Sequence, residues 1–85
     1  MENQPFSFVI YGREACHLCD VMRTELETYL RGKSIPYTLV EHFLDGMNHE
    51  LEQQFGAKVP VLLCNNIEVC HYFFDQEKLQ AILLS

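Results

Sequence analysis

Two cysteines three positions apart, Cys16 and Cys19, fall where an apolar run ends and a helical pattern begins. The run is Ser7-Phe8-Val9-Ile10-Tyr11, β-branched and aromatic, which suits a buried strand; Gly12 ends it. From about Cys16 to Arg31 the apolar residues Leu18, Met22, Leu26 and Tyr29-Leu30 recur at helical spacing, with Asp20, Arg23, Glu25 and Glu27 on the other faces. A strand, a cysteine pair and a helix in that order leave few folds open, because they place the pair at a helix N-terminus inside a β-α-β unit.

The rest of the chain extends that unit. Gly32 is a helix stop and Pro36 forbids continuation, so Tyr37 to His42 reads as a second strand. A second helix fits Asn48 to Phe55, with Asn48 as cap, Leu51 and Phe55 four apart, and Gly56 closing it. Val59 to Cys64 reads as a third strand. Asn65-Asn66 is a tight-turn signal, and Ile67 to His71 is the returning strand of a hairpin. Asp75 can cap a last helix whose apolar face is Leu79, Ile82 and Leu83. Tyr72, Phe73 and Phe74 are expected to pack that helix onto the sheet, and His42 and His49 to lie at the surface. The order is β-α-β-α-β-β-α: a right-handed parallel crossover, then an antiparallel hairpin on the same sheet, with helices on both faces.

The spacing of the cysteines suits reversible chemistry. Residues three apart on a helix have Cβ atoms about 5–6 Å apart, and a disulfide needs Cα atoms about 4.4–6.8 Å apart. The helix N-terminus adds unpaired N–H groups and partial positive charge, which stabilise a thiolate. Cysteines so placed have pKa values lowered to about 3.5–7.5. Cys16, at the mouth of the helix, gains most and reads as the nucleophile; Cys19, one turn inside, reads as the resolving thiol.

A metal site would need two further ligands, with Cys64, Cys70 and His71 as candidates. The gap from Cys19 to Cys64 is far longer than in a zinc ribbon. With a two-residue turn at Asn65-Asn66, Cys64 is expected opposite Ile67 and Cys70 opposite Val61, on opposite faces of the sheet. No metal is therefore expected. Val59-Pro60 is a second constellation. A proline there marks a strand start or edge, and its isomer is open.

Composition excludes other classes. The chain has 85 residues, read as one domain over 1–85, with 48% hydrophobic residues and no Trp. Twelve Asp and Glu face six scattered Lys and Arg, for a net charge of −6. Without a basic cluster, nucleic acid is a poor partner. No apolar run reaches the roughly 18–20 residues of a membrane span. The first residues carry no positive signal-peptide region, so the expected location is the cytoplasm. Four cysteines there point to catalysis or metal and not to a disulfide framework.

Arg13-Glu14-Ala15-Cys16-His17-Leu18-Cys19, with Val59-Pro60 before an apolar strand, resembles the glutaredoxins, most closely the short bacterial glutaredoxin-like proteins. The resemblance covers most of the chain. It implies an α/β thioredoxin fold with a four-stranded mixed sheet, ordered 2-1-3-4 by position along the chain. It implies a redox pair at Cys16 and Cys19, a cis proline at Pro60, and a backbone partner for substrate at Val59. It places Arg13 where glutaredoxins meet the glutathione carboxylate, and His17 where it could tune the pair. The departures matter too. His17-Leu18 replaces the usual Pro-Tyr, and Cys70-His71 and Phe73 stand in the slots of the family's Gly-Gly pair and following Asp. Side chains then cover backbone that glutathione would lie against, so weak action on glutathionylated substrates is expected.

The function expected is dithiol–disulfide exchange on protein or small-molecule disulfides. The chain would act as a monomer with no cofactor beyond a thiol reductant, for which glutathione is one candidate. The alternative is a non-catalytic module that holds a metal or a partner through its cysteines. Cys70 is expected at the edge of the active-site groove, where it is read first as a packing residue and second as a third thiol. Cys64 is expected nearer the hairpin turn.

Overall fold

Alternation along each strand decides which side of the sheet a residue faces, and two cores result. The computed structural model describes residues 4–46 and 49–84. Its elements are β1 (Phe6–Gly12), α1 (His17–Arg31), β2 (Tyr37–Phe43), α2 (His49–Phe55), β3 (Val61–Cys64), β4 (Ile67–His71) and α3 (Gln76–Leu84). The strands form one mixed sheet in the order β2-β1-β3-β4. β1 and β2 are parallel, while β3 runs antiparallel to both β1 and β4. Phe8 and Ile10 of β1 and Leu62 and Cys64 of β3 share a core with Met22, Leu26 and Leu30 of α1 and Leu79 of α3. The intervening residues Tyr11, Val61 and Leu63 pack with Leu44, Leu51 and Phe55 in a second cluster that involves α2.

Local chemistry sets the boundaries. Gly32 ends α1, its N–H donating to the Leu30 carbonyl. The Gly56 N–H bonds Glu52 at 2.8 Å where α2 closes. Asp75 caps α3 by accepting from the Lys78 N–H at 3.0 Å. The hairpin turns through Asn65 and Asn66, both left-handed at φ 51° and 69°, as a type I′ turn requires. Asn65 also accepts from the Ser7 N–H at 2.8 Å and donates its own N–H to the Ser7 carbonyl at 2.7 Å. The turn is thereby fastened to β1.

Several expectations need correction. Cys70 lies opposite Leu62, not Val61, because a bulge between Leu62 and Leu63 takes up one extra residue of β4. Val69 and Cys70 are consequently both buried, and Cys64 and Cys70 lie in the same core and not on opposite faces. Alternation fails wherever a strand carries such an insertion. β3 starts at Val61, since Val59 and Pro60 precede the ladder. Leu18 is 38% exposed, and the buried stripe of α1 runs through Cys19, Met22, Leu26 and Leu30 instead. Of the aromatic trio only Phe74 packs against the core; Tyr72 and Phe73 are exposed. The expected cap Asn48 lies outside the described residues.

The two-core arrangement predicts unequal costs of truncation. Leu26→Ala, in the larger core, should lower the unfolding free energy by about 2–5 kcal/mol. Val40→Ala, at an exposed position of β2, should stay within about 0.5 kcal/mol. Urea titration of both variants checks this.

Candidate active site

The chain leaves β1 at Gly12 and turns through Arg13, Glu14 and Ala15 before α1 begins. Ala15 sits at φ 54°, in the left-handed region that L side chains avoid. Cys16 follows as the N-cap of α1, with extended backbone, and its Sγ accepts the Cys19 N–H at 3.1 Å. Its carbonyl takes the Asp20 N–H at 3.2 Å. Cys16 therefore occupies the cap position that Ser or Asp fills in most helices. A sulfur there accepts a helix N–H, and it does so more strongly as a thiolate.

Cys16 and Cys19 are joined in a disulfide, with Cα atoms 5.2 Å apart. Cys16 is half-buried and Cys19 is 2% exposed. The Cys19 sulfur lies against Gly12: a Cβ built on that glycine would stand 2.8 Å from it. The bare backbone at Gly12 is what lets α1 seat its second cysteine on β1.

Arg13 is committed to the protein. Its guanidinium bonds Asp45 at 3.2 Å, the Gly56 carbonyl at 3.1 Å, and the Glu52 carboxylate. Glu52, with help from Asp45, pushes the Arg13 pKa up. Asp45 also accepts the Glu14 N–H at 2.9 Å. That bond, reinforced by Arg13, holds the Asp45 carboxyl below its ordinary value. The redox loop is thus tied to the segment after β2 and to both α2 and the residue that follows it.

The Val59–Pro60 peptide bond is cis. Val61 is the ladder partner of Tyr11, so this dipeptide lies one step on, beside the end of β1 where the redox loop departs. His17, the first residue of α1, is exposed. It lines a shallow hollow of about 420 Å³ along the helix with Asp20, Val21, Thr24 and Glu25. His71 is exposed and meets Glu68 at 3.2 Å. Cys70 is 8% exposed, and burial raises the pKa values of both Cys70 and Cys64. Among the described residues no three His, Cys, Asp or Glu side chains converge as metal ligands would, and no helix is long and apolar enough to cross a membrane.

The Glutaredoxin-like domain (DUF836) matches residues 7–84, from β1 to the end of α3. The chain belongs to this glutaredoxin-like family. Protein Ne2328 from Nitrosomonas europaea, solved in solution, is 41% identical to it, with a TM-score of 0.79 over 96% of this chain and 98% of that one. The target protein XcR50 from X. campestris is 29% identical, with a TM-score of 0.61 over 89% and 93%. Thioredoxin f2 from Chlamydomonas reinhardtii, 21% identical with a TM-score of 0.57 over 98% and 80%, shares the fold. No curated protein matches the chain in sequence. The glutaredoxin-like chain thus has a thioredoxin-like fold with a disulfide-forming Cys16–Cys19 pair.

In this glutaredoxin-like site the topology gathers Cys16, Cys19 and the Val59–Pro60 dipeptide around the end of β1. Arg13 is spent on bracing that end, and Cys70 belongs to the core. Sequence reasoning missed the partners of Arg13, which lie 32 to 43 positions away. No local signal marks them. Gly12 carried a signal, a glycine at the end of a strand before a cysteine pair, but was read only as a terminator.

Two outcomes follow from this geometry. Gly12→Ala forces its new methyl into the Cys19 sulfur and should destabilise the oxidised protein by about 1–3 kcal/mol in denaturant titration. Asp45 titrates lower folded than unfolded, so its contribution to stability is complete above its ordinary value of 3.8 and is lost as the pH falls below it. In an NMR titration the Glu14 amide should hold its position above that pH and move below it, and Asp45→Asn should abolish the movement.

Proposed function

We propose that this chain is a dithiol–disulfide oxidoreductase in which Cys16 attacks and Cys19 resolves. The carrying observation is the cap: the Cys16 sulfur accepts the Cys19 N–H at the start of α1, while its bridging partner is buried. In the reduced protein the Cys16 thiolate would be held by that N–H and by the positive end of a 15-residue helix. It attacks one sulfur of a substrate disulfide, forming a mixed disulfide and releasing the other sulfur as a thiolate that takes up a proton. Cys19 then loses its proton and attacks the Cys16 sulfur. The second substrate thiol leaves, and the Cys16–Cys19 bond remains. Two electrons pass from the pair to the substrate, and an external thiol must restore them.

The substrates are disulfides of proteins or small molecules. Glutathione is disfavoured as a bound partner. Arg13 already holds two carboxylates and a carbonyl, and of the two slots that glutaredoxins leave bare, one carries the exposed His71. Action on glutathionylated substrates should accordingly be weak beside dithiol reduction of other disulfides. A turnover assay comparing the two substrate types checks this.

The assignment of roles is tested by brief alkylation of the reduced protein near neutral pH, followed by peptide mass analysis. Cys16 should label first, well ahead of Cys19, Cys64 and Cys70. Cys19→Ser should accumulate a mixed disulfide through Cys16, and Cys16→Ser should form none. Faster labelling of Cys19 would reverse the roles.

A further inference from the structure

The segment from Gly56 to Pro60 is held on both sides of Val59. The Gly56 carbonyl accepts from Arg13 at 3.1 Å. The Ala57 carbonyl accepts the Tyr72 hydroxyl at 2.8 Å. The Lys58 N–H bonds Phe55 at 2.8 Å, and its ammonium pairs with Glu68 at 3.0 Å. The Pro60 carbonyl accepts the Tyr72 N–H at 2.8 Å. Val59 makes none of these bonds. One residue, Tyr72, therefore fastens the segment both before and after Val59, through its hydroxyl and its backbone.

Tyr72 is held in an unusual way itself. It sits at φ 66°, a conformation that glycine adopts freely and a tyrosine rarely does. The turn is closed by the Phe73 N–H on the His71 carbonyl at 2.7 Å, and the Tyr72 ring stands edge-on to the His71 ring with centroids 4.8 Å apart. A backbone outlier on a residue with a larger side chain than the turn calls for is a reason to ask what the side chain does. Here it reaches back fifteen residues to the cis-proline segment.

We propose that Tyr72 is a positioning residue for disulfide exchange: it fixes the backbone of Val59 as an edge along which an extended substrate chain aligns beside Cys16. The inference rests on the reading of Cys16 and Cys19 as an exchange pair. A substrate chain that pairs as an added strand draws its affinity from main-chain hydrogen bonds, and these need donor and acceptor held in a fixed direction. Small displacements of such an edge cost rate steeply. Tyr72 does not act on the thiolate, so its effect depends on whether the substrate has a backbone to align.

The test compares two disulfides: an extended peptide carrying a mixed disulfide at its centre, and hydroxyethyl disulfide, which has no amides. For Tyr72→Phe, the ratio of kcat/KM on the peptide to that on hydroxyethyl disulfide should fall about three- to tenfold, through KM. Hydrogen exchange at the hydrogen-bonded amides of Lys58 and residue 72 should quicken while that at Leu62 does not change. Tyr72→Gly, which relieves the left-handed backbone while removing ring and hydroxyl, should show the same selective loss. A ratio equal to that of the wild type, or equal losses on both disulfides, would overturn the positioning role alone. Reduction of neither disulfide by the wild-type protein would overturn the redox reading and the positioning role together.

Discussion

Helix α1 docks on β1 through a contact with room for a hydrogen and nothing larger. The buried stripe Cys19, Met22, Leu26 and Leu30 lies over Phe8 and Ile10, and its first member meets the strand at Gly12. The depth at which the helix sits is therefore set at its N-terminal end. That depth leaves Cys19 in the interior and brings Cys16 to the rim. The same contact orders the core and divides the two thiols into an inner and an outer one.

Around this contact, bracing comes from long-range polar bonds. Arg13, Asp45, Glu52 and the Gly56 carbonyl form a knot on one side of the redox loop. Lys58, Glu68, His71 and Tyr72 form a second on the far side of the cis-proline segment. Burial acts to raise the Glu68 pKa, yet the Lys58 ammonium and then His71 outweigh it and hold the carboxyl below its usual range. Pairs this exposed contribute little to stability one by one. Their value lies in geometry, since the Arg13 pairs and the Lys58–Glu68 pair join parts of the fold that the chain order keeps apart.

Much of this was legible in the sequence because the determinants are local. The strand and helix periods, the stop at Gly32, the Asn65-Asn66 turn and the cap at Asp75 each act within a few residues of where they appear. The cysteine pair announced its own chemistry through its place at a helix start. What escaped was whatever depends on residues meeting across the fold. The extra residue at Val69 inverted the expected facing of Cys70, and a bulge leaves no mark in an apolar strand. The resemblance set Arg13 against a glutathione carboxylate, whereas its carboxylate partners come from another part of the chain. Leu18 fitted the helical period as well as Cys19 did, and packing against Gly12 decided between them. Tyr72 read as one more aromatic in a cluster, since nothing nearby disclosed that its hydroxyl is used.

The bulge has one more consequence. By turning Cys70 inward to join Cys64 in the core, it leaves a chain whose four cysteines present a single sulfur to solvent, that of Cys16. A peroxide, a heavy-metal ion or a foreign disulfide arriving at the folded surface meets Cys16 and no competing thiol. Side reactions that would scramble the sulfurs must wait for the sheet to open. Selectivity among the cysteines is in this way partly a product of strand register, which buries two of them and by that burial raises their thiol pKa values.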